Sequence, residues 1–123
     1  MIIGKRFKID AAHYLPEYLG KCREMHGHTW YITVEVEGKI RAGGPTDGMV
    51  IDLNELSTAV HCILDRWDHR LLNEFFPEAE APTCERLTQE IALRLQEYLP
   101  SEIFVHEVRV QEGEGGYARW IRG

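Results

Sequence analysis

The sequence predicts an α+β domain, an antiparallel sheet with two helices packed on one of its faces, in the order β-β-α-α-β-β. Three observations lead to this expectation. Apolar residues alternate with polar ones over residues 2–13 and again from about His28 to Lys39, which is the period of a half-buried strand. In the middle of the chain the apolar spacing changes to three and four, as in an amphipathic helix. Alternation then returns over 102–112 and from Tyr117 to Ile121. Strands and helices grouped in runs, rather than alternating, point to α+β.

The first strand places Ile3, Phe7, Ile9, Ala11 and His13 on one face and Arg6, Lys8 and Asp10 on the other. From Tyr14 to Met25 the alternation is lost and Pro16 and Gly20 appear, so this stretch is expected to be a loop, and one long enough to be functional. The second strand has Trp30, Ile32, Val34 and Val36 inside and Thr29, Tyr31, Thr33, Glu35 and Glu37 outside. Gly43 to Gly48 is a turn cluster without the lysine and hydroxyl of a phosphate-cradling loop. Met49 to Ile51 reads as a short extended piece.

Asp52 is the expected N-cap of the first helix, with Glu55 completing a capping box. Leu53, Leu56, Val60, Ile63, Leu64 and Trp67 form its core stripe, and it should end near Trp67. Asn73 to Pro82 is a loop. Thr83 caps the second helix, with Leu87, Ile91, Leu95, Tyr98 and Leu99 as its stripe and Pro100 as its stop. The third strand should carry Phe104, His106, Val108, Val110 and Glu112 on one face. Gly113, Gly115 and Gly116 then turn the chain into the last strand.

A chain of 123 residues suits a single domain spanning residues 1–123. Its net charge of -6 argues against a general nucleic-acid binder. No apolar run is long enough to span a membrane, and the N-terminus lacks the halves of a signal peptide. Three cysteines without framework spacing fit free thiols in a reducing compartment, hence a cytoplasmic protein. A four-stranded sheet also leaves two open edges, which edge-to-edge closure in a symmetric oligomer would remove.

The chemistry gathers around His13 and the stretch Cys22-Arg23-Glu24-Met25-His26-Gly27-His28. If the first two strands pair antiparallel, the end of one meets the start of the other, and His13, His26 and His28 converge on the apolar face. Three neutral imidazoles with one open position make a catalytic zinc site. Cys22 could close that site as a fourth ligand, or stand off the metal as a thiolate acid/base. Asp68-His69 is a carboxylate beside an imidazole, in principle an oriented general base. Glu112 ends either among apolar side chains, where it needs a donor pair, or in solvent beyond the strand. Cys84 falls in the first turn of the second helix, where a thiolate is favoured, but it has no visible partner and reads as structural. His61, Cys62 and His106 read as packed or exposed residues, and Lys21 and Arg23 as loop charges.

Taken together, Ala12-His13, Cys22, His26-Gly27-His28, Gly48-Met49-Val50-Ile51-Asp52, Asp68-His69, Pro82-Thr83 with Glu85, and Val110-Gln111-Glu112 resemble the 6-pyruvoyltetrahydropterin synthase / QueD family. The resemblance covers nearly the whole chain and is nearest to the 6-carboxy-5,6,7,8-tetrahydropterin synthase (QueD) branch. It implies a tunnelling fold (T-fold), with strands of several subunits closing into a barrel. It also implies a homohexamer built from two trimers, with active sites between subunits. His13, His26 and His28 would bind zinc, Cys22 would be a catalytic thiol, and Asp68 and His69 would transfer protons. Glu112 would anchor the pterin, in a pocket lined by Thr83 and Glu85. The implied substrate is 7,8-dihydroneopterin triphosphate, converted in the queuosine pathway. The pyruvoyl branch would eliminate triphosphate only. Relatives with glutamate in place of the cysteine run an aldolase-type cleavage, an alternative that Glu24 keeps open here. Outside the enzymes, the competing reading is a structural zinc or pterin-binding module.

Overall fold

The computed structural model describes residues 1–123. Its elements are β1 (Ile2–His13), β2 (His26–Glu37), α1 (Leu53–Leu64), α2 (Cys84–Tyr98), β3 (Phe104–Glu112) and β4 (Tyr117–Ile121), with short 3-10 turns at Lys21–Arg23 and Leu72–Phe75. The strands form one antiparallel sheet in the order β1-β2-β3-β4. The expected α+β architecture is the observed one. No helix is long and apolar enough to cross a membrane.

One face of the sheet and the inner faces of both helices enclose a single core, in which Trp30, Ile32, Val34, Leu56, Leu64, Leu87, Ile91 and Val108 are almost fully buried. The Trp30 indole keeps a partner in this apolar setting by donating to the Ala11 carbonyl at 3.1 Å, as a buried N–H must. Both helices start at their expected caps. The Asp52 carboxylate accepts from the Asn54 amide at 2.8 Å, and Thr83 Oγ1 accepts from the Arg86 amide at 3.2 Å. The reciprocal arm of the capping box does not form, because Glu55 turns toward Arg41, 3.9 Å away.

Several boundaries differ from the expected ones. β2 begins at His26 rather than His28, since His26 pairs directly with His13 in the ladder. It ends before Gly38, where a Cβ would lie 2.7 Å from Ile103 Cδ1, so the backbone is pressed against the core there. Met49 to Ile51 joins no strand, although Val50 and Ile51 are buried. α1 stops at Leu64, and the turn that follows still delivers Trp67 to the core. Leu53 and Tyr98, in the terminal turns of their helices, are exposed.

The largest departure is in β3. Val36 pairs with Val105 but Glu35 pairs with Glu107, so His106 is an extra residue, a β-bulge. The bulge switches parity within the strand. Val105 is buried on one side of it and Val108 and Val110 on the other, while Phe104 is exposed and His106 is half-exposed beside Glu37. The expected single face from Phe104 to Glu112 therefore holds only from Val108 onward.

Candidate metal centre and active site

The ladder between β1 and β2 sets His13 directly opposite His26, and Ala11 opposite His28. Because side chains alternate, all three imidazoles fall on the core side of the sheet, at its end. Their ring centroids are 4.6, 5.2 and 4.8 Å apart. The Trp30 indole forms an apolar wall behind them, 5.0 Å from His13 and 5.4 Å from His28. One ring nitrogen from each histidine lies within 4.8 Å of the other two.

Two of the rings are oriented by the backbone. His13 Nδ1 is 2.9 Å from the Pro82 carbonyl, and His26 Nδ1 is 2.7 Å from the Glu24 carbonyl. A carbonyl can only accept, so Nδ1 carries the proton in both and the Nε2 lone pair faces inward. The Nε2 atoms of His13, His26 and His28 are all buried and have no hydrogen-bond partner. Buried polar atoms seldom stay unpaired, and three that converge fit a cation of zinc type. Burial holds His13 below its ordinary pKa, against the opposing pull of the Pro82 carbonyl and Glu112. It is thereby kept in the neutral form that a metal requires.

A second cluster lies at the polar face of β1. Asp10, Asp68 and His69 also bring their ligand atoms within 4.8 Å of one another. Asp68 Oδ1 accepts from the Asp10 amide at 3.0 Å and lies 2.9 Å from His69 Nδ1. Thr29 Oγ1 donates to Asp10 Oδ1. His69 is the one non-glycine residue with a positive φ, 61°, a conformation that costs free energy and is held by its surroundings. The His69 amide donates to the Asp10 carbonyl at 2.6 Å, and the Ala12 amide to the Arg70 carbonyl at 3.0 Å. The segment after α1 is thus laced onto the open edge of β1. The His69 ring remains largely exposed, at 77% of its side-chain surface, and lines an open depression shared with His28 and Thr29.

Cys22 lies half-buried in the 3-10 turn before β2 and is not among the clustered ligand atoms. Glu112 pairs with Trp30 in the ladder, and its Oε1 lies 3.1 Å from His28 Nε2. The two atoms approach without forming a hydrogen bond. Thr83 is occupied as the α2 cap and Glu85 is exposed in the first turn. Neither joins the three histidines within one chain. Cys84 contradicts the thiolate tendency of its position, because burial pushes its thiol up to about 11 and it donates to the Val110 carbonyl at 3.0 Å. It is a neutral strut between α2 and β3.

The sequence reading missed Asp10, whose strand position alone gave no sign that it would hold Asp68 and His69. It also missed the carbonyls of Glu24 and Pro82, since backbone atoms leave no trace in residue types. Asn73 is a further omission. Its side chain bonds both the amide and the carbonyl of Tyr14 at 3.0 Å, which fixes the start of the Cys22 loop.

Comparison with known proteins gives a consistent result. Residues 2–121 match the family model of 6-pyruvoyl tetrahydropterin synthase. A 6-carboxy-5,6,7,8-tetrahydropterin synthase of Synechocystis sp. is 34% identical, covering 98% of this chain and 92% of its own. A dihydroneopterin monophosphate aldolase of Pyrococcus furiosus is 32% identical, covering 88% of this chain and 86% of its own. The solved 6-pyruvoyl tetrahydropterin synthase of Caenorhabditis elegans is 26% identical and superposes with a TM-score of 0.83, over 100% of this chain and 96% of that one. With the sequence match running almost end to end and the fold shared along the same length, this chain belongs to the 6-pyruvoyl tetrahydropterin synthase family of enzymes.

Proposed function

We propose that the chain is a zinc-dependent lyase that converts 7,8-dihydroneopterin triphosphate and water to 6-carboxy-5,6,7,8-tetrahydropterin, acetaldehyde and triphosphate, in the cytoplasmic route to queuosine. The observation that carries the reading is the convergence of three buried, unpartnered Nε2 atoms on His13, His26 and His28. The names of the Synechocystis relative and others like it support the choice of product.

In this reading the three histidines hold zinc through Nε2. When bound, the metal supplies Lewis acidity, polarising hydroxyl groups of the substrate side chain and easing loss of the protons on adjacent carbons. Cys22 Sγ takes or returns a proton at the substrate side chain. His69 is the partner acid, with Asp68 fixing its Nδ1 and stabilising its charged form, as a carboxylate does beside a general-acid imidazole. Glu112 accepts the paired N–H donors of the pterin ring. Thr83 and Glu85 line the ring pocket. The wide exposure of His69 fits a residue that serves a neighbouring subunit. Closure of the open edges of β1 and β4 into a barrel, as a hexamer of two trimers, would bring such a neighbour into place.

The test is incubation with dihydroneopterin triphosphate and determination of product mass. The carboxy product is expected, and a pyruvoyl product or hydroxymethyl-dihydropterin would sink the assignment to this branch. Cys22→Ala should keep its zinc and lose turnover by about a hundredfold or more. Loss of zinc in that variant would instead make Cys22 a ligand and the site a structural one.

A further inference from the structure

The open face of the sheet, opposite the helices, carries a row of cations read straight off the ladder. Arg6 pairs with Thr33, Thr33 with Arg109, and Arg109 with Arg119. Arg119 is matched by Glu107, but Arg6 and Arg109 enter no ion pair in the chain. Acidic side chains outnumber basic ones, 20 to 14, yet the carboxylate beside Arg109, that of Glu107, bonds to Arg119 and reaches Arg109 only at longer range.

Both guanidinium groups are held in place by aromatic faces. Arg6 lies over the Tyr31 ring at 4.6 Å, and Arg109 over the Tyr117 ring at 3.9 Å. Stacking leaves the N–H edges of a guanidinium free to bond in its plane. Together with Thr33, Tyr31 and Gln111 the two arginines line a depression of about 200 Å³. Its charged groups are both cations, its hydroxyls can donate, and no carboxylate lines it. On the same face Lys8 stands opposite Tyr31 on one side of the arginine row, and Glu35 and Glu107 form the next row on the other side, with Glu107 bonded to Arg119.

We propose that Arg6 and Arg109 form a binding site for a polyphosphate anion. Forked donors on two fixed guanidinium groups match the oxygens of phosphate better than a lone charge could. Tripolyphosphate as the natural occupant rests on the function proposed above, whereas the cationic depression does not. The anion reaches this site either as the tail of the substrate or as the free product. The Asp10, Asp68 and His69 cluster lies on the same face of the sheet, with Thr29 about 13 Å along β2 from Thr33 at the usual rise per residue.

The experiment is calorimetric titration of the assembled protein as purified with inorganic tripolyphosphate, which needs no turnover. Wild type should bind in a salt-sensitive manner, and the double variant Arg6→Gln, Arg109→Gln should lose about tenfold or more in affinity. The paired surface variant Arg94→Gln should bind like wild type. The double variant Arg6→Lys, Arg109→Lys, which keeps charge but not the fork, should fall between and guards against simple misfolding. Equal affinity in wild type and the glutamine double variant, or no binding by wild type, overturns the site. If the glutamine variant raises KM for the triphosphate substrate, the site holds the substrate tail. If KM is unchanged and only inhibition by tripolyphosphate is lost, it holds the product. Arginine-dependent binding in a protein that turns over no pterin would keep this site and remove the proposed function instead.

Discussion

On the core side of the sheet, His13, His26 and His28 gather three ring nitrogens that bond to nothing. On the polar side, Asp10, Asp68 and His69 gather their ligand atoms within the same 4.8 Å, but these are already engaged with one another and with the backbone. The residue types overlap and the compactness is alike. What differs is whether the atoms have been left unsatisfied. The first group lacks what a metal would supply, and the second group is already satisfied without one. The comparison teaches that a cluster of possible ligands is read by its unpaired atoms, not by its residue names.

The sharpest way to break this comparison is to remove a ligand from each side and measure metal content. His13→Ala or His28→Ala should reduce bound zinc to background, while Asp68→Asn and His69→Ala should retain it fully, as determined by atomic emission on the purified protein. Zinc lost equally from both sets would abolish the distinction. Turnover gives the next largest effect. His69→Ala should lower kcat by about a hundredfold, and Asp68→Asn by a similar factor, with stability little changed.

Acid sharpens the contrast further. Burial lowers the pKa of His13 in the folded chain below its ordinary 6.5, so the folded state binds fewer protons than the unfolded one. The contribution of His13 to the stability of the metal-free protein is therefore complete above 6.5 and is lost as the pH falls below it. Thermal melts across that range should show the loss in wild type and a flatter profile in His13→Gln. The smallest effect concerns α2, whose start carries the Pro82 carbonyl that orients His13. Thr83→Ala removes the cap and should cost about 1 kcal/mol in denaturant unfolding. Metal affinity should fall only slightly.

Much of this was legible in the sequence, and the reason lies in parity. Once β1 and β2 pair, the two-residue period decides the face of His13, His26 and His28 without further information. The helix stripes were equally plain, because Leu56, Val60, Leu87 and Ile91 recur at helical spacing over several turns. Parity also misled. Counting from Phe104 gave the wrong face for that residue and for His106, because a bulge adds a residue that no composition marks. Asp10 stayed hidden for another reason, since its partners arrive from a segment far along the chain. The separation of Cys22 from the ligand atoms was open on spacing, and its assignment as a thiol catalyst came from the family resemblance.

The bulge at His106 makes β3 two half-strands joined out of phase. The position of Glu112 beside His28 is counted back from Val108, and the half that starts at Phe104 keeps a separate count. Deleting one residue between Val105 and Val108 would therefore do more than shorten the strand. It would force a choice between keeping Val105 in the core and keeping Glu112 at the histidines. Packing and chemistry are set by independent reading frames in a single strand, and His106 is the spacer that lets both be correct.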